Sequence, residues 1–346
     1  MIGRIGMNRR SHRLSPLTFA VACLAASLAD ARTIYVNNLT GDDRNTGEFA
    51  RSLAGSGGGP TRTVAKALRL ARRGDRIELA ATEEPYREEV TLQGFGNSGF
   101  PEQPLVIDGG GAILDGSAPV PEFAWEHFNG DIFRFRPPRM AFQMLFRDDV
   151  PLTRVPVEPG ALALPELPPL AWCLFDRHIY LRVEETRTPG SYNLSHTFYR
   201  VGITLYQVER VQIANLIIQG FQLDGINAHD SATHIELAGV TTRGCGRSGV
   251  SVGGSSRVTL ESCLSGNNGA AQLRTEAWCE ARLEGCDLIA NTAPAVVREE
   301  VMQGAGRVYI NDVQLPLMEL TADVTPTALM EEAEAPAPAG GVMRDE

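Results

Sequence analysis

The sequence predicts an all-β solenoid, with short strands winding in coils that stack along one axis. Three observations point there. A strand pattern recurs every 23 or 24 residues, a second strand recurs inside each unit, and helical periodicity is missing from the same stretch. The first pattern reads "VQIANL" (Val211 to Leu216), "HIELAGV" (His234 to Val240), "RVTLESC" (Arg257 to Cys263) and "ARLEGC" (Ala281 to Cys286). Ile235, Val258 and Ala281 are spaced by 23, and Leu237, Leu260 and Leu283 keep the same step. The second pattern reads "GINAH" from Gly225, "GVSVG" from Gly249, "AAQLRT" from Ala270 and "PAVVRE" from Pro294. Each copy alternates apolar and polar residues, so one side faces a core and the other faces solvent. Gly, Asn and Ser between the strands supply the turns. Stacked copies would lie about 4.8 Å apart.

The 346 residues are 43% hydrophobic, enough for a sizeable core. A net charge of -10 argues against a nucleic-acid partner, which calls for a basic face. Lys66 is the sole lysine, so nearly every cation is an arginine, permanently charged and fork-shaped. Residues 1–31 have the layout of a signal peptide: basic "MNRRSHR", apolar "LTFAVACLAASLA" and small "ADA" ending at Ala31. Export to the periplasm, cell surface or medium follows, with a lipid anchor on Cys23 as a lesser alternative. No stretch is apolar for long enough to be a transmembrane segment. Cys173, Cys245, Cys263, Cys279 and Cys286 remain in the mature chain, with no C-x-x-C pair to suggest zinc. Cys263 and Cys286 take equivalent inward positions, which permits either a ladder of thiols or a disulfide.

With the repeat in view, the chain resembles the right-handed parallel β-helix superfamily typified by pectate lyases and chondroitinase B-like lyases. The opening "RTIYVNNLTGDDRNTG" looks like their first strand and loop, and "GPTRTVAKALRLARRGDRIELA" like their N-terminal capping helix and first full coil. Val64, Ala67, Leu68 and Ala71 form the apolar face of that helix, which would cover the open end of the solenoid. "YREEVTLQGFGNSG" and "PEQPLVIDGGGAILDG" continue the likeness. The expected organisation is a signal peptide at 1–31, cap and first coils at 32–116, an inserted β subdomain at 117–200, and further coils at 201–318. A disordered, acidic Ala/Pro-rich tail at 319–346 ends the chain. The aromatics of the insertion, Trp125, Phe133, Phe135, Phe142 and Trp172, read mainly as the core of a small β layer, with a sugar platform as the alternative.

Candidate chemistry centres on "DGINAHDSATHIEL", Asp224 to Leu237, with two aspartates, two histidines and a glutamate. Alternation points Ile226 and Ala228 inward and Asn227 and His229 outward. Aligning the copies places Ser251, Gln272 and Val296 beneath Asn227, and Gly253, Arg274 and Arg298 beneath His229. The resulting outer stripe is flanked by Asp224, Asp230, Arg247, Glu276 and Glu299. The superfamily resemblance, export and this stripe together imply action on an acidic, uronate-containing polysaccharide by β-elimination. That chemistry removes the proton at C5 of a uronate while its carboxylate is neutralised. In this reading His229, Arg274, Arg298 and Asp224 are the catalytic candidates. Asn227, Asp230, Arg247, Gln272 and Glu276 are the substrate-binding ones. Two alternatives stay open: a glycoside hydrolase using paired carboxylates such as Asp224 and Asp230, and a non-catalytic carbohydrate-binding or surface structural protein. Pectate lyases use calcium, so Ca2+ is a possible cofactor, but no clear ligand cluster stands out. The plainer account of the stripe is a solvated solenoid exterior, with Asp224 and Asp230 serving turns.

Overall fold

The computed structural model describes residues 31–52 and 57–317. The expected signal peptide, Cys23 and the expected disordered tail lie outside the described residues. The chain is a right-handed parallel β-helix whose coils carry three strands each, here called leading, middle and trailing in chain order. Leading strands are Val90–Gln93, Ile203–Tyr206, Asp224–His229, Ser248–Val252, the first part of Ala271–Glu284, and Val296–Glu299. Middle strands include Leu105–Asp108, Glu209–Ala214, Thr233–Ala238, Arg257–Glu261, the rest of Ala271–Glu284, and Ala305–Ile310. Trailing strands are Ile113–Asp115, Ile217–Gln219, Thr241–Arg243, Leu264–Gly266 and Asp287–Ile289. Strands of one kind pair in parallel with the next coil, which gives three sheets around one core.

The alternation seen in the sequence accounts for that core. Ile235, Val258 and Ala281 are direct register partners, as are Leu237, Leu260 and Leu283, and all six are buried. Val240, Cys263 and Cys286 continue the interior at the next corner. Cys263 and Cys286 are free thiols whose Sγ atoms donate to the carbonyls of Leu237 and Leu260, so the ladder reading describes this structure.

Both ends of the solenoid are closed. Helix Val64–Leu70 buries Val64, Ala67 and Leu68 against the first coils. Thr63 Oγ1 accepts from Lys66 N, and the Glu88 carboxylate accepts from the N–H groups of Val64 and Ala65, so the orphan donors of the first turn are satisfied. At the other end, strand Ala305–Ile310 folds back on Val313–Gln314.

The insertion leaves the solenoid after Asp115 and returns at Ile203 without disturbing the stacking. Ile203 pairs with Val90, Val211 with Leu105, and Ile217 with Ile113. Between these points two small sheets form. One joins Ser117–Pro119, Leu145–Arg147, Val150–Pro151 and Leu194–Thr197, and the other runs through Thr153–Arg154, Ala171–Phe175, His178–Arg182, Ile132–Phe135 and Glu126–Asn129. Phe135 and Trp172 are buried with Leu145, Ile179 and Leu181, and Trp125 packs edge-on to Phe135 at 4.8 Å. The aromatics therefore build a core, and of the five named from the sequence only Phe142 is strongly exposed.

His196 belongs to this layer. It lies edge-on to Phe135 and Phe198, its Nδ1 has no hydrogen-bond partner, and burial pushes its pKa down to about 4. Between pH 6.5 and 4 the unfolded chain binds this proton and the folded chain does not. Stability is therefore complete above about pH 6.5 and falls as pH drops, by roughly 3 kcal/mol. The expected result is that wild type loses about that much more than His196→Phe between pH 7 and 4 in urea titrations. Parallel curves for the two proteins would rule this out.

Candidate functional site

The leading face carries the residues singled out by sequence, but in a different register. Ser251 does lie under Asn227. The next residue in that column is Arg274, not Gln272, followed by Val297. Under His229 the continuing column is Gly253, Glu276 and Glu299, so it is acidic where a basic stripe was expected. The reason is that inward Leu273 stacks under Val250, whereas aligning the small residues Gly249 and Ala270 slips the strand by two positions. Gly253 leaves no open gap in this column. A Cβ built there would come within 2.7 Å of Glu276 Oε1, because the Glu276 side chain lies across it.

Arg274 is 7% exposed and each nitrogen of its guanidinium has a partner. Nε donates to Glu299 Oε1 at 2.8 Å, and one terminal nitrogen reaches both Glu299 Oε2 and Glu276 Oε2 at 2.5 Å. The other donates to Ser251 Oγ at 3.1 Å. The hydrogen bond from Arg274 holds the Glu299 carboxyl below its ordinary pKa. A uronate carboxylate would have to displace two protein carboxylates to reach this arginine.

Arg298 was expected on the outer stripe. It pairs with Thr275, an inward position, because this step is 23 residues where the alignment used 24, which leaves Arg298 one residue short of the outer column held by Glu299. Its guanidinium donates to the carbonyls of Gly306, Leu315 and Pro316 and closes the C-terminal end of the solenoid. Gln272 is likewise internal. It joins a buried polar chain with Asn268, Ser265 and Thr242, accepting from Asn268 Nδ2 at 2.8 Å and donating to the Ala293 carbonyl.

Asp224 is completely buried. Arg247 grips it with Nε at 3.0 Å and a terminal nitrogen at 2.5 Å, Ser248 Oγ donates at 2.6 Å, and Asn227 Nδ2 at 2.9 Å. Thus Asp224, Asn227 and Arg247 do come together, as one closed unit. His229 remains on the surface. Its ring lies 4.9 Å from that of Tyr206, directly before it in the column, and its Nδ1 is 3.7 Å from Asp230. A hydrogen bond with Asp230 raises the Tyr206 pKa. Among the described residues no group of three or more His, Cys, Asp or Glu side chains is placed to hold a metal ion.

A second site was not read from the sequence. A cavity of about 250 Å3 opens between the trailing face and the insertion. The solenoid wall is the outward column Asp115, Gln219 and Arg243, with Asn267 beyond it. Arg243 Nε donates to Gln219 Oε1 at 2.9 Å. Asp115 is buried, paired with Arg87 at 3.1 Å, and accepts from Ser117 N. The facing wall is the hairpin joining Leu145–Arg147 to Val150–Pro151. Its two-residue turn is Asp148-Asp149, both with positive φ (52° and 61°), the geometry of a type I′ turn. Aspartate tolerates that backbone better than most side chains, and here it sets two exposed carboxylates at the rim. The pair "DD" between two short apolar strands was the available signal.

No curated protein matches the chain. A family model described as "Right handed beta helix region" matches residues 191–312. Among solved structures, one described as "Glycoside hydrolase" is 11% identical, with a TM-score of 0.52, covering 74% of this chain and 73% of that one. A complex of XylC with xylose is 11% identical, TM-score 0.41, covering 81% and 70%. The GH136 lacto-N-biosidase from Eubacterium ramulus is 12% identical, TM-score 0.38, covering 73% and 43%. Together with the stacked coils, the family match over residues 191–312 and the first of these likenesses show the right-handed parallel β-helix fold.

Proposed function

We propose that the protein acts on carbohydrate, with a glycan seated in the cleft between the trailing face and the insertion. The observation that carries this is the cleft's lining: amide and guanidinium donors on the solenoid wall face carboxylate acceptors on the hairpin. Such a set matches the dense hydroxyl groups of a sugar. The fold likeness to a structure described as a glycoside hydrolase supports the same reading. Hydrolysis of a glycosidic bond uses two carboxyl groups, one as acid and one as base or nucleophile. Asp115 is already committed to Arg87 and to a backbone N–H, which suits a positioning role. Asp148 and Asp149 are the exposed carboxyls left for proton transfer. Export through the leader expected at residues 1–31 belongs to this reading, since it would bring the protein to glycans outside the cytoplasm.

The test is incubation with a panel of neutral, acidic and amino polysaccharides, followed by an assay for new reducing ends. Release from at least one polymer is expected, and its loss in Asp148→Asn/Asp149→Asn. Unsaturated sugar products would instead identify elimination, and binding without products a non-catalytic carbohydrate-binding protein. Elimination is the second reading, favoured by the Tyr206–His229 contact, which offers an acid and a base side by side on the leading face. It would take an acidic polysaccharide. Loss of unsaturated product in His229→Ala, with the cleft variant unaffected, would establish it.

A further inference from the structure

We infer that the cleft selects a glycan bearing free amino groups, a chain of 2-amino sugars in preference to uronates or neutral sugars. This rests on the cleft being the glycan site. Its charged lining residues are Asp115, Asp148 and Asp149 against one cation, Arg243. The Asp115 charge is balanced from behind by Arg87. Among the described residues Asp148 pairs with Arg147 alone, at 3.6 Å, with both side chains well exposed, so solvent screens that pair. Among the described residues no cationic side chain pairs with Asp149. The rim therefore presents carboxylates open to a ligand, on a chain of net charge -10. A uronate polymer would bring like charge against them, while an ammonium group supplies both the opposite charge and three N–H donors.

The solenoid wall suits the rest of such a ring. Beside the polar column runs a second outward column on the same strands, Ile113, Ile217, Thr241 and Leu264, paired coil to coil. Leu264 is 40% exposed and Val150, at the hairpin, 64%. Of these, Val150 lines the cleft itself and can take the C–H face of a pyranose while Gln219 and Arg243 meet its hydroxyls. Exposed ion pairs respond to salt, because the Debye length shrinks from about 10 Å at 0.1 M to about 3 Å at 1 M.

The experiment is calorimetric titration of the full chain with hexamers of glucosamine, N-acetylglucosamine and galacturonic acid, at low salt and at 1 M NaCl. The glucosamine hexamer should bind about tenfold more tightly than its neutral N-acetylated form at low salt, a gap of ~1.4 kcal/mol. The gap should close at high salt. It should also close in Asp148→Asn/Asp149→Asn, which keeps the turn because asparagine accepts positive φ. Equal affinity for the two glucosamine forms, tighter binding of galacturonate, or a preference surviving in the double variant overturns the inference and leaves the carbohydrate reading standing. Binding of no glycan in either panel removes both.

Discussion

Phe221→Ala is expected to lower the unfolding free energy by about 3–5 kcal/mol, the range for emptying a fully buried aromatic site. Phe221 is among the largest side chains with no exposure, and it lies where the insertion departs and returns. Gly116 follows the last strand before the insertion, and Gly202 precedes the first strand after it. A Cβ at Gly116 would come within 2.4 Å of the Phe221 ring, and one at Gly202 within 3.0 Å of it. The ring thus fills the space that two glycines leave, and both ends of the insertion close on it. Gly116→Ala should also destabilise, and it should do so less in a Phe221→Leu background, since the two sites share one volume. Denaturant titrations of the single and combined variants check this. Additive losses would show that the ring and the glycine are independent.

Asp224→Ala should cost about 3 kcal/mol, at the lower end for breaking a buried ion pair, because Arg247 keeps partial access to water. The change leaves the Arg247 fork, Ser248 Oγ and Asn227 Nδ2 without their shared acceptor. Asp224→Asn retains one acceptor oxygen and should lose less. The measurement is the denaturation midpoint of each variant at neutral pH. An unchanged midpoint for Asp224→Ala, with activity abolished, would instead make Asp224 a reacting group.

The middle strands were legible because their inward residues keep a constant step of 23 and a strict alternation, as at Leu237, Leu260 and Leu283. The leading strands were harder. There the step changes from 24 to 23, and the turn before Ala271 offers small residues that mimic a register mark. A two-residue slip keeps the face and misplaces the neighbour, as happened to Arg274. A one-residue slip flips the face, as happened to Arg298. Burial of Asp224 and Gln272 was not legible, since both are polar and lie at corners where alternation no longer predicts direction. The cleft was illegible for a different reason. It joins Asp115, Gln219 and Arg243 on three successive coils to a hairpin in another segment, and no local pattern encodes that meeting.

The unbroken stacking across the insertion has a consequence for assembly. Within residues 203–299 each coil closes on the previous one across 23 or 24 residues. Joining Val90 to Ile203 closes a loop on the order of 110 residues, about 1.4 kcal/mol more in chain entropy. The pairing of Ser117 with Thr197 removes most of that difference, because it brings the two ends of the insertion together beforehand. The insertion's small sheet is therefore a splint: once closed, it converts the most distant junction of the solenoid into a local one.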